Sequence, residues 1–170
     1  MESPHLPLRP VRDEDALDLV ELVGSCFGEY PGCVLDVEGE LPMLRRLASY
    51  AAEKDGAFWT VELPAAGLHP TRLVALGGFL PRGTGAIEVH KLYVHRSARR
   101  FGLGGLLLGR VEEEARRRGA GVVDLWSDTR FTTAHAFYER RGYARGPVTR
   151  ELHDKSDTVE FYFSKHLGAR

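Results

Sequence analysis

Two arginines and three glycines crowd into seven residues, Arg99-Arg100-Phe101-Gly102-Leu103-Gly104-Gly105, directly ahead of a leucine run at Leu106–Leu108. Glycine weakens a helix interior by roughly 1 kcal/mol against alanine, so this density calls for a reason. The first turn of a helix presents free N–H groups and partial positive charge, and arginine adds a charged fork. Glycines at 102 and 104 strip away Cβ atoms that would hold an anion off those amides. The chemistry that suits such a turn is phosphate binding at a helix N-terminus. A turn that merely packs is the plainer alternative.

The residues also restrict which phosphate compound fits. A P-loop needs Lys-Ser or Lys-Thr after its glycines, and neither pair follows here. The dinucleotide fingerprint G-x-G-x-x-G begins at Gly102 and Gly104 but has Leu107 at its third glycine position. Asp124 lies near the spacing of a ribose contact, which keeps a nicotinamide nucleotide open. The histidines at 90, 95, 135, 153 and 166 show no metal spacing, and no metal is expected. Ser127, Asp128 and His135 are the residue types of a hydrolase triad, yet no G-x-S-x-G elbow accompanies them. Cys26 and Cys33 fit no zinc or redox spacing and are expected as free thiols.

Alternating strands and helices must position these groups. Residues 5–11 read as a first strand, and Asp13 is expected to cap a helix over residues 14–27. A loop follows at Gly28, Pro31 and Gly32, then a second helix over 41–54. Strands are expected over 56–63 and 72–81, joined by a turn at 64–70, and a central strand over 85–94. A long helix starts at the glycine turn and stops at Gly119. A strand over 121–128, a helix over 132–142 ending at Gly142, and a last strand over 158–167 complete the order. Glu112, Glu113 and Glu114 each precede an arginine by four residues (Arg116, Arg117, Arg118), which suggests a solvated, ion-paired helix face.

At 170 residues the chain is expected to form one domain, 1–170, with a net charge of −1 that argues against a nucleic-acid surface. No apolar run approaches the ~20 residues of a membrane span, and the first residues lack the apolar core of a signal peptide. No membrane partner and a cytoplasmic location are the expectation.

The turn and what surrounds it resemble the GNAT acetyltransferase superfamily. Its motif [Q/R]-x-x-G-x-[G/A] is met by Arg99-Arg100-Phe101-Gly102-Leu103-Gly104, after a segment, "IEVHKLYV", similar to the family's fourth strand. Farther on, "AHAFYERRGY" resembles the second signature, with Tyr138, Gly142 and Tyr143 in place. The resemblance implies a mixed α/β (α+β) fold: a mostly antiparallel sheet of about seven strands, about four flanking helices, and splayed fourth and fifth strands. It implies acetyl-CoA or a related acyl-CoA as donor, with the backbone of Phe101 to Gly105 on the pyrophosphate. The main chain of Leu92, Tyr93 and Val94 would pair with the pantetheine arm, and the Leu92 N–H would serve the oxyanion. Phe131 stands where many members carry asparagine, leaving Thr132 or Thr133 to supply that polar contact.

The resemblance also suggests roles in acyl transfer to an amine. Tyr138 matches the family position of the acid that protonates the departing CoA sulfur, with a packing tyrosine as the alternative. Glu88 falls eleven residues before Arg99, where some members place a general base. His90, two residues on, shares its strand face, so either side chain could deprotonate an ammonium. The plainer roles, an exposed Glu88 and a structural His90, stay open. Loops at 27–40 and 150–157 are expected to shape the acceptor site. Glu29, Asp36, Glu38 and Glu40 would suit an ammonium-bearing small molecule or peptide. The alternative is a non-catalytic acyl-CoA-binding module, and a homodimer is left open.

Overall fold

In the computed structural model, which describes residues 8–63 and 72–168, one seven-stranded sheet carries helices on both faces. Its strands are β1 (Leu8–Pro10), β2 (Ala57–Leu63), β3 (Arg72–Pro81), β4 (Ala86–Val94), β5 (Val122–Asp128), β6 (Ala144–Glu151) and β7 (Val159–His166). The helices are α1 (Ala16–Phe27), α2 (Leu47–Glu53), α3 (Leu103–Arg117) and α4 (Thr132–Arg140). The order across the sheet is β1-β2-β3-β4-β5-β7-β6, antiparallel throughout except between β4 and β5. A parallel neighbour requires a crossover, and α3 provides it.

Two cores lie on opposite faces. Leu19, Leu22, Val23 and Cys26 recur at helical spacing along α1 and are buried with Leu44, Leu47, Phe58 and Leu76. On the other face α3 buries Leu103, Leu107, Leu108 and Val111 against Ile87, Val89, Val123 and Phe163. Each such side chain contributes roughly 1.5–3 kcal/mol by leaving water.

Several elements depart from the sequence reading. The first strand begins at Leu8, residues 5–7 and the turn at 64–70 lying outside the described residues. Residues Asp13–Asp15 form a short 3-10 turn, and Asp13 does not cap α1. Its carboxylate instead accepts the Ser49 N–H (3.1 Å) and hydroxyl, tying the entry of α1 to α2. The second helix is divided into a 3-10 stretch, Pro42–Arg46, and α2. β6 is a strand where the sequence suggested a loop; Gly146 and Pro147 fall in the gap between its paired positions Arg145 and Thr149. Proline cannot donate to a ladder, and this strand lies at the sheet's edge where it is tolerated.

The α3 charge run is also not one solvated face. Three consecutive residues spread over about 200° of a helix, so they cannot share a side. Glu112 and Glu114 are buried while Glu113 is exposed. Glu112 takes the Tyr143 hydroxyl (3.1 Å) and Lys165 ammonium (3.0 Å), and Glu114 takes Arg117 and Arg118. These arginines hold the Glu114 carboxyl down at about 2.

Candidate active site

β4 and β5 are paired only at Ala86–Val122, Ile87–Val123 and Glu88–Asp124. Beyond Glu88 the two strands part, and the β5-facing edge of β4 from Val89 to Val94 has no strand partner among the described residues. On its other side β4 carries a bulge: Gly78 pairs with His90 and Leu76 with Tyr93, leaving Lys91 and Leu92 opposite Gly77 alone. Lys91 takes a left-handed φ of 55° there. A bulge bends a strand and re-aims its side chains. Close packing enforces the glycine: a Cβ on Gly77 would stand 2.8 Å from Leu92 Cδ1.

Where the strands part, a cleft of about 1430 Å³ opens, lined from one end to the other by the α3 N-terminus, α4, and the strand ends of β4, β5, β6 and β7. At its α3 end Gly102 is the N-cap, with φ 77°. The Leu106 N–H is the first of α3 to reach a carbonyl, that of Gly102 at 2.9 Å. The amides of Leu103, Gly104 and Gly105 therefore have no partner among the described residues.

The glycines have distinct reasons. Gly102 is needed for its φ, and the space beside it is open. A Cβ on Gly104 would touch Phe137 at 3.4 Å. A Cβ on Gly105 would stand 1.8 Å from Nη2 of Arg141, whose guanidinium lies over the Phe137 ring at 5.2 Å. Arg141 thus brings a cation to the turn from α4's C-terminal end, a contact only the fold creates.

The other expected residues fall as follows. Arg100 lines the cleft with φ 72°, whereas the side chain of Phe101 is 67% exposed and lies outside it. Arg99 is committed: its Nε donates to the Val94 carbonyl (3.0 Å) and its terminal nitrogens to both oxygens of Glu29 (2.8 and 2.5 Å). Leu92 packs on the α3 side, while Tyr93 meets Phe27 edge-on at 6.0 Å. Leu103 is buried.

Tyr138 lines the cleft from α4, its ring packed against Tyr143 and Phe163. Its hydroxyl makes no hydrogen bond among the described residues, and burial raises its pKa, so it stays a phenol. Glu88 and His90 project from one face of β4, with Glu88 Oε1 3.1 Å from His90 Nε2. Burial pushes the Glu88 carboxyl up, but the hydrogen bond from His90 and the charges of His90, Arg150 and Arg82 outweigh it and leave it below 4.5. Lys91, which also lines the cleft, has its ammonium pushed down by burial to about 8. Thr133 lines the cleft and Thr132 does not; Phe131 is engaged with Tyr30, ring centres 4.6 Å apart.

Three of the four acidic residues of the 27–40 loop are paired with cations, while Glu40, bonded by a backbone amide, lines the cleft. Glu29 holds Arg99, Glu38 holds Arg45, Asp36 holds Lys155, and Glu40 accepts the Lys155 N–H at 2.7 Å. Together with the Val34 N–H on Ser156 Oγ (2.8 Å), these bonds staple the loop at 27–40 to the one at 150–157. Trp126 and Glu160, which the sequence reading missed, also line the cleft, beside Arg150 from the segment at 150–157 expected to shape the acceptor site. His135 bonds the Asp128 carbonyl (2.9 Å), not its carboxylate, so no triad forms. Both cysteines are free, and among the described residues no His/Cys/Asp/Glu group of three or more could hold a metal.

This fold, and the cleft where β4 and β5 part, are those of the acetyltransferase (GNAT) class. The sequence pattern of the Acetyltransferase (GNAT) family matches residues 18–143, and the chain belongs to that family. It is 32% identical over 63 residues to an uncharacterised N-acetyltransferase of Methanocaldococcus jannaschii; the match covers 37% of this chain and 28% of that relative. A GNAT-family acetyltransferase structure from Staphylococcus aureus Mu50 superposes with a TM-score of 0.77 at 17% identity, over 95% of this chain and 99% of the other. The PaiA N-acetyltransferase of Thermoplasma acidophilum, solved in complex with coenzyme A, does so with 0.69 at 15% identity, over 95% and 98%.

Proposed function

We propose that residues 1–170, as one domain, transfer an acetyl group from acetyl-CoA to a primary amine by direct attack in a ternary complex. One observation carries this reading: unpartnered α3 amides, an unbonded Tyr138 hydroxyl and the Glu88–His90 pair all open on a single cleft where β4 and β5 part.

The donor supplies a thioester carbonyl and a thiolate leaving group. The amides of Leu103, Gly104 and Gly105 hold its pyrophosphate, with the Arg100 and Arg141 cations beside them. The edge of β4 at Leu92–Val94, which has no strand partner among the described residues and whose Val94 carbonyl is already taken by Arg99 Nε, accepts the pantetheine arm as an added strand, and the Leu92 N–H steadies the developing oxyanion. Arg99 acts by holding the end of β4 and the loop at Glu29 in register, a positioning role. Glu88, with His90 bonded to it, takes a proton from the acceptor ammonium, directly or through water. The freed amine attacks the carbonyl carbon, a C–N bond forms and the C–S bond breaks. Tyr138 gives its proton to the departing sulfur and recovers one from the acylated nitrogen, which sheds its second proton as the neutral amide forms.

A nicotinamide reading has no support in the geometry. Asp124 is held by Arg82 and by the Tyr162 hydroxyl (2.8 Å), and it lies outside the cleft. The test is calorimetric titration with acetyl-CoA, CoA and NAD, beside Gly102→Glu, followed by a thiol-release assay over a broad amine panel. Acetyl-CoA binding lost in Gly102→Glu, with CoA released by some amine, is the expected outcome. Tight acetyl-CoA binding without release by any amine would instead indicate a non-catalytic acyl-CoA-binding module.

A further inference from the structure

Arg150, Glu160 and Trp126 have no part in the reaction above, yet all three line the acceptor half of its cleft. Arg150 on β6 and Glu160 on β7 are cross-strand partners, and Arg150 Nε lies 2.5 Å from Glu160 Oε2. The same guanidinium lies over the Trp126 ring, 4.3 Å from its centre, and Trp126 in turn leans on Tyr162 at 5.0 Å. The arginine is therefore fixed at Nε and along one face. Its two terminal nitrogens make no hydrogen bond among the described residues. A planar, immobilised pair of N–H donors at the wall of a cleft is the shape that receives a carboxylate through two parallel bonds.

The surroundings limit what else that carboxylate can be attached to. The charge of Arg150 reaches Glu88 and helps to hold its carboxyl low, while Glu160 feels both Glu88 and Asp128. An anion-binding fork and an amine-facing carboxylate thus lie within interaction range of each other. In the loop at 27–40, Glu29, Glu38 and Asp36 are already paired with cations.

We infer that the acceptor is an amine that carries its own carboxylate, a free amino acid, with its carboxylate on the Arg150 fork and its amine toward Glu88 and His90. The inference rests on the acyl-transfer reading and narrows it.

The experiment compares each of a set of amino acids with its own carboxamide and its decarboxylated amine. CoA release is followed for wild type, Arg150→Gln and Arg150→Lys, and binding of the same compounds to the CoA-loaded protein is measured by calorimetry. Wild type is expected to prefer the free acid by roughly tenfold or more in kcat/KM, the worth of one charge-assisted hydrogen bond. That ratio should fall toward one in Arg150→Gln, through KM, and only partly recover in Arg150→Lys, which keeps the charge without the fork. An amide used as well as its acid by wild type, or a preference unchanged in Arg150→Gln, would overturn the inference and leave acyl transfer standing. If no amine releases CoA, the acyl-transfer reading fails and binding decides. Acid-selective binding lost in Arg150→Gln then sustains the fork, and its absence overturns it.

Discussion

Glu88 Oε1 lies 3.1 Å from His90 Nε2, two residues along the same strand and on the same face of it. The pair stands at the last rung of the β4–β5 ladder, where the sheet opens. A bond between neighbours this near in sequence costs little to form, because the strand already points both side chains the same way. What the fold adds is the partial burial that makes the bond matter.

Because the Glu88 carboxyl is held below its ordinary 4.5, it is ionised throughout the neutral range. Glu88→Gln should lower kcat/KM at neutral pH by about 10²-fold, within the usual contribution of a general base. The readout is a pH–rate profile. Wild type should show no acid limb from Glu88 near neutrality, and the variant should depend more steeply on deprotonation of the free amine. A profile unaltered by the substitution removes Glu88 as base.

Tyr138→Phe takes away one hydroxyl that no described residue bonds. The ring's packing against Tyr143 and Phe163 survives. Turnover should fall about 10²-fold as a proton donor is lost, with acetyl-CoA affinity nearly intact. Steady-state kinetics beside calorimetry separates the two, and unchanged turnover returns Tyr138 to a packing role.

The glycines of the turn should fail in different ways. Gly102→Ala places a Cβ on a left-handed residue and should cost about 1–2 kcal/mol of stability, read as a lower unfolding midpoint. Gly105→Ala adopts helical angles readily but must displace the Arg141 guanidinium. Its stability should change little, while acetyl-CoA binding weakens and Arg141→Ala weakens it similarly.

Lys91 gives stability a pH dependence of known sign. Its folded value of about 8 lies below the ordinary 10.5, so between these pH values the unfolded chain binds more protons. Stability therefore rises with pH across that interval, and below it the buried cation is a standing cost. Lys91→Met should remove the rise and stabilise the protein at pH 7. Urea unfolding at pH 7 and pH 10 measures both effects, and parallel curves for the two proteins would contradict the burial of the ammonium.

Local signals carried much of the fold. Alternation marked β4, the glycine turn marked the start of α3, and Gly119 and Gly142 stopped their helices at left-handed residues, as their φ values of 71° and 86° show. These depend on residues a few positions apart, which is why the amino-acid order alone determines them. The turn at Gly102 belongs with them, since its φ and its free amides follow from one helix beginning there.

Tertiary structure alone decided the rest. β6 became a strand despite Gly146 and Pro147 because β7 offers it a ladder, a partner that no local propensity encodes. The acidic loop looked like an open ammonium trap until Arg99, Arg45 and Lys155, up to 119 positions away in the case of Lys155 and Asp36, paired with three of its four carboxylates. Arg141 came to the glycine turn from another helix, and Phe131 found Tyr30 across the cleft. The Arg150 fork needed β5, β6 and β7 side by side before Trp126 and Glu160 could hold it. Residue types and short spacings determine which chemistry is possible; which charges stay free to perform it is decided by long-range contacts, because each ion pair consumes a group the sequence leaves available.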